Sequence, residues 1–160
     1  MSPSDDIKHE IYQFYKLIYE SKFTFAKKKT LMTAALGMED WSWRVVGISK
    51  NAVVEIAKNN FKKPTKKLAR DHQVTRADTY AQIFGAKKYE FNDWWNLVWE
   101  NDKTTLITND EHNTHMVSEI YPIDLELGLF RDSGMVGWSH TLKSEGAFVK
   151  SLCEKHNINY

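Results

Sequence analysis

The run Lys103-Thr-Thr-Leu-Ile-Thr108 is rich in β-branched residues, and Asn109-Asp110 follows it without an intervening loop. Asn and Asp are strong helix starters and acids suit a first turn, so a strand is predicted to run directly into a helix at Asn109. That helix displays Glu111, His112, Asn113 and His115. Set among the helical stretches around it, this junction gives an α+β reading: a mostly helical single domain with a small hairpin-and-helix unit.

The helical stretches carry their own signals. Ile7, Ile11, Phe14, Leu17 and Ile18 recur at helical spacing over residues 6–21, which marks an amphipathic helix with a core-facing stripe. Residues 25–36 continue in helical style up to Gly37, and Trp41-Ser-Trp-Arg-Val-Val-Gly47 then breaks the pattern. Ser49 is a good N-cap for a helix running to about Asn60, after which Pro64 cannot continue it. Lys66 to Arg76 suits a short exposed strand or irregular arm with Asp71-His72 at its far end. Residues 79–84 and 92–100 read as short helices, the second capped by Asn92-Asp93 and dense in Trp94, Trp95 and Trp99. The segment 120–137 reads as loops and short strands, and Ser144 is expected to cap a last helix to about His156. The parts are thus a helical region 1–62, a hairpin-and-helix unit 66–118 with an insertion at about 78–101, and a C-terminal region 119–160.

Cys153 is the single cysteine in 160 residues, so an internal disulfide and a thiolate zinc cage are both excluded, and any metal falls to His, Asn and carboxylate ligands. A polar, acidic start and the absence of a ~20-residue apolar run lead to the expectation of a cytoplasmic protein that does not enter a membrane. The net charge is only +1, yet Lys58, Lys62, Lys63, Lys66, Lys67, Arg70 and Arg76 lie in one short stretch with a single acid, Asp71. A local patch of that kind suits a polyanion, because neutralisation of phosphates by Lys and Arg supplies most non-specific nucleic-acid affinity. Lys62, Lys63, Lys66, Lys67, Arg70 and Arg76 are the candidate phosphate contacts.

Phosphodiester hydrolysis needs a base for water, a cation at the phosphate and a positive surface. His72 is a candidate base, since imidazole titrates near working pH. Asp71 sits beside it, although neighbours on a strand point to opposite faces unless the chain bends. His112 and His115 are three apart on one helix face, and Asn113 lies about 100° round.

A strand ending in Arg70-Asp71-His72, an insertion, and a second strand leading into Leu106-Ile-Thr-Asn-Asp-Glu-His-Asn-Thr-His115 resembles the HNH, or ββα-metal, endonuclease superfamily. The resemblance implies that His72 is the general base and that Asp71 and His112 hold one divalent ion. Asn113 or His115 would be a further ligand or orienting group. Mg or Mn is the favoured ion and Zn is admissible. It also implies a nucleic-acid substrate, DNA favoured over RNA, a restriction or phage-defence setting, and a homodimer where the target site is two-fold. Two other readings are a non-catalytic nucleic-acid-binding module and a protein-interaction subunit anchored on the tryptophan cluster.

Overall fold

The computed structural model describes residues 2–37, 41–62, 67–85, 87–130 and 143–160. Two helices come first, α1 (Asp5–Glu20) and α2 (Phe25–Gly37), then β1 (Arg44–Ser49) and α3 (Lys50–Lys58). β2 (Leu68–His72) leads into α4 (Arg76–Ile83) and α5 (Phe91–Asn101), and β3 (Lys103–Thr108) runs into α6 (Asn109–Thr114). β4 (Ile120–Pro122), a 3-10 turn (Leu125–Leu127) and α7 (Lys143–Lys155) complete the chain. The architecture is the expected mostly helical α+β domain with a small mixed sheet.

The sheet order is β2-β3-β1-β4. β1 is parallel to β3, while β2 is antiparallel to β3 and β4 antiparallel to β1. The segment read as a break, Trp41 to Gly47, therefore contains most of a central strand. Its Val-Val-Gly-Ile core is too short for periodicity to distinguish a buried strand from a turn of helix.

Two cores flank the polar centre. Val45, Ile48, Val53, Ile56, Leu106, Tyr121, Val149 and Leu152 join the sheet to α3 and α7. Ile11, Tyr15, Ile18, Met32, Leu36, Tyr80, Ile83, Trp94 and Val98 join α1, α2, α4 and α5. Trp94 and Trp95 are buried in the second core, with Trp99 packed against it. Stacked Trp95 and Trp99 rings and the Tyr15–Trp94 stack supply directional packing beyond area burial. Of the cluster that one alternative reading made a partner anchor, Trp94 and Trp95 are thus buried against α1 and α2.

Local chemistry sets the helix starts. Ser49 caps α3 as expected, accepting from the Ala52 amide at 3.1 Å. Thr75 caps α4 by accepting from the Asp78 amide at 3.1 Å, so that helix begins three residues before Thr79. Asn92 and Asp93 lie inside the first turn of α5, and Ser144 inside that of α7. In α6 the cap is Thr108 rather than Asn109, because Glu111 completes a reciprocal capping box with it.

Gly47 is the tightest point in β1. A Cβ there would meet Ile120 Cγ2 at 2.9 Å and lie 3.7 Å from Thr105 Cγ2. Gly47→Ala should lower stability by about 1–3 kcal/mol through overpacking. The check is a urea midpoint compared with Gly47→Ala/Ile120→Ala, in which the loss should be largely recovered.

Candidate metal and nucleic-acid site

β2 and β3 pair with Arg70 opposite Leu106, Asp71 opposite Thr105 and His72 opposite Thr104. Leu106 belongs to the core under α3 and α7, so alternation assigns Arg70 and His72 to that side and Asp71 to the other. α6 follows β3 directly and folds back along the hairpin, which brings His112 to Asp71. His112 Nε2 lies 3.8 Å from Asp71 Oδ1, and both side chains remain about half exposed, at 50% and 46%. Two residues 41 positions apart thus converge on an open surface.

The pair is an oxygen and an imidazole nitrogen with room beside them. Ion–ligand distances of about 2.1 Å let a single divalent ion span a gap of up to about 4.2 Å, so the separation accommodates one. Among the described residues no three His, Cys, Asp or Glu side chains converge, so His115 is not a third partner of Asp71 and His112. His115 ends α6 in a left-handed conformation, φ 55°, and both it and Asn113 are exposed. A donor set this sparse suits Mg or Mn, which keep several waters, better than a closed zinc cage.

His72 is turned to the opposite face. Its Nε2 accepts from Arg76 Nε at 3.3 Å and lies 3.6 Å from Asp102 Oδ1, while its ring meets Trp43 edge-on at 4.3 Å. The expected sharing of one site by Asp71 and His72 does not form, because β2 stays extended through both residues. With its accepting nitrogen engaged and its side chain only 11% exposed, His72 belongs to a polar joint rather than to the open surface.

That joint also takes two of the expected phosphate contacts. Arg76 Nη2 pairs with Asp102 Oδ1 at 2.9 Å and its guanidinium lies over the Trp43 ring at 4.4 Å. Arg70 donates from Nη2 to the Phe130 carbonyl at 3.0 Å and from Nη1 to the Trp43 carbonyl at 3.5 Å. Both arginines are half-buried structural cross-links. Lys62 is exposed, and Lys67, which pairs with Glu55 at 2.8 Å, keeps 62% of its side chain exposed. An exposed pair of this kind is weak enough to yield to a phosphate. Lys67 also starts the hairpin beside α6, its carbonyl accepting from the Asn109 amide at 2.9 Å. Lys63 and Lys66 lie outside the described residues.

Beneath α6 lies a carboxylate that residue patterning did not single out. Glu111 is 3% exposed and accepts from the Ser49 hydroxyl at 2.7 Å, the Thr108 amide at 2.8 Å and the Ser118 amide at 2.9 Å. Asn51 Nδ2 and the Ser118 hydroxyl add further bonds. Burial by itself would push its pKa up, but these donors outweigh burial and hold the carboxyl at about 2. Glu111 is a fixed anion that ties the start of α3 to α6 and so sets where His112 points. The Thr108-x-x-Glu111 spacing is the signal that marks it.

Comparison with protein-family models, with curated proteins and with solved structures finds no match.

Proposed function

We propose that this chain is a divalent-cation-dependent nuclease of the ββα-metal type, hydrolysing phosphodiester bonds, in DNA by preference. The observation that supports it is the convergence of Asp71 and His112 through an antiparallel hairpin and the helix that follows it. Asp71 and His112 would hold the ion, which when bound offsets charge on the phosphate. Lys67 and Lys62 offer cations to the flanking phosphates. Asn113, exposed on α6 next to His112, would orient substrate rather than complete a ligand set. His72 contributes by holding the hairpin against α4 and α5.

The engagement of His72 by Arg76 and Asp102 favours one second reading, a module that binds nucleic acid without cutting it. Purified protein incubated with plasmid DNA or structured RNA in Mg, Mn or EDTA separates the two. Metal-dependent cutting is expected, lowered at least about 100-fold in Asp71→Ala and His112→Ala. If His112 is a ligand, its loss raises the metal concentration needed for half-maximal rate; if it takes the proton, saturating metal does not restore the rate. His72→Ala should lower the melting temperature yet cut at permissive temperature. Nucleic acid that shifts on a native gel but stays intact would establish the binding module, and intact, unshifted nucleic acid would sink both.

A further inference from the structure

Where α1 turns into α2, bulky apolar side chains stand in solvent. α1 buries Ile11, Tyr12, Tyr15 and Ile18, which leaves Phe14 and Leu17 on its outer stripe, one turn apart. Leu17, in the last turn of α1, is 69% exposed. Phe23 in the connection and Phe25 at the start of α2 are 43% and 48% exposed. The connection is held by its own hydrogen bonds, since the Ser21 hydroxyl accepts from the Phe23 amide and the Thr24 hydroxyl from the Lys27 amide, both at 3.4 Å. Exposed apolar side chains scattered singly need no explanation, whereas a cluster marks a contact surface.

Ammonium groups surround this cluster. Lys27 Nζ lies 4.0 Å from the Phe23 ring centroid, Lys22 directly precedes Phe23, and Lys29 stands one turn after Phe25 on the same face of α2; all three are exposed. The loop after α4 joins them. Tyr19 Oη donates to the Gly85 carbonyl at 3.4 Å and Lys88 pairs with Glu20 at 2.7 Å, which brings Lys88 and its neighbour Lys87 to the same corner. Residues 14–30 and 84–90 together hold seven lysines, two glutamates and no arginine, in a chain whose net charge is only +1.

An occupant has to satisfy both the apolar tips and the cations. Aliphatic and aromatic tips ringed by lysines fit the boundary between acyl chains and anionic headgroups, where the tips leave water and the ammonium groups stay at the surface on flexible stems. A second copy docked corner to corner would set lysines against lysines. A nucleic-acid strand would find one face of Phe23 covered by Lys27, no arginine fork for its phosphates, and in Leu17 no ring on which to stack.

We propose that the α1–α2 corner docks the protein onto an anionic lipid surface, with Leu17, Phe23 and Phe25 dipping below the headgroups and the lysines meeting the lipid charges. Contact of this kind is shallow and needs no spanning helix. The inference does not depend on cutting, so it is tested in EDTA without nucleic acid. The protein is sedimented with phosphatidylcholine vesicles, pure or containing about a third phosphatidylserine. It should sediment with the mixed vesicles only and be released by high salt. Phe23→Ser/Phe25→Ser and Lys22→Gln/Lys27→Gln/Lys29→Gln should each weaken binding at least about tenfold, because apolar burial and charge contribute separately. All five side chains are exposed, and melting temperature checks that both variants fold. Lys58→Gln/Lys62→Gln, which removes exposed lysines elsewhere, should bind as the parent does. Four results overturn the proposal: no sedimentation with mixed vesicles, undiminished binding by the phenylalanine variant, equal loss in Lys58→Gln/Lys62→Gln, or a single-stranded oligonucleotide that binds the corner while vesicles do not.

Discussion

Glu111→Ala is expected to cost about 3 kcal/mol or more at neutral pH and to lower the melting temperature by roughly 10 °C. The substitution removes the acceptor of the Ser49 hydroxyl and of the Thr108 and Ser118 amides. The pH dependence follows from linkage. The carboxyl sits at about 2 in the folded chain against 4.5 ordinarily, so the unfolded chain binds the proton more tightly. Its contribution is fully present above pH 4.5 and disappears as pH falls toward 2, about 3 kcal/mol in all. Urea unfolding from pH 7 down to pH 2 should therefore show an acid slope that Glu111→Gln loses. A wild-type slope retained in Glu111→Gln would mean that another group carries the linkage.

Asp102→Ala is expected to cost about 3–5 kcal/mol, because it leaves a buried guanidinium without its counter-charge. Asp102 is 7% exposed and accepts from the Trp43 amide at 2.6 Å as well as from Arg76. It stands between the two apolar cores, so its loss should loosen their junction as well as lower the global midpoint. The double variant Asp102→Ala/Arg76→Met should be markedly less unstable than Asp102→Ala alone, since removing both charges removes the stranded one. Equal loss in the single and double variants would show that the Trp43 amide bond, not the ion pair, is what matters.

How far residues alone carried the reading can be seen at particular positions. Helical spacing over Ile7 to Ile18 gave α1 but not its core face, since Ile7, Phe14 and Leu17 are exposed while Tyr12 and Tyr15 are buried beside Ile11 and Ile18; Ser49 gave the start of α3, because capping is a local signal. The strand-into-helix junction at Thr108 and Asn109 was legible for the same reason. β1 was not, since its pairing with β3 and β4 is long-range and its apolar run is short. At the site, alternation along β2 already set Asp71 and His72 on opposite faces, and the expectation that they share one site needed a bend that β2 does not make. That His112 rather than His115 reaches Asp71 depends on how α6 is pinned by Glu111. Arg70 and Arg76 read as surface cations because charge shows in a sequence, whereas the carbonyls and the Asp102 carboxylate that absorb them do not.

The hairpin that presents Asp71 is interrupted by α4 and α5, which pack in the other core. In chain-entropy terms, closing β2 onto β3 spans some thirty residues instead of a tight turn, a penalty that grows only slowly with length but is never zero. Docking of α4 and α5 onto α1 and α2 ahead of strand pairing would shorten that span. On that order the open surface bearing Asp71 and His112 would form after the helical cluster, and the expected result is that its formation rate tracks substitutions at Tyr15 or Trp94 rather than those around the pair itself.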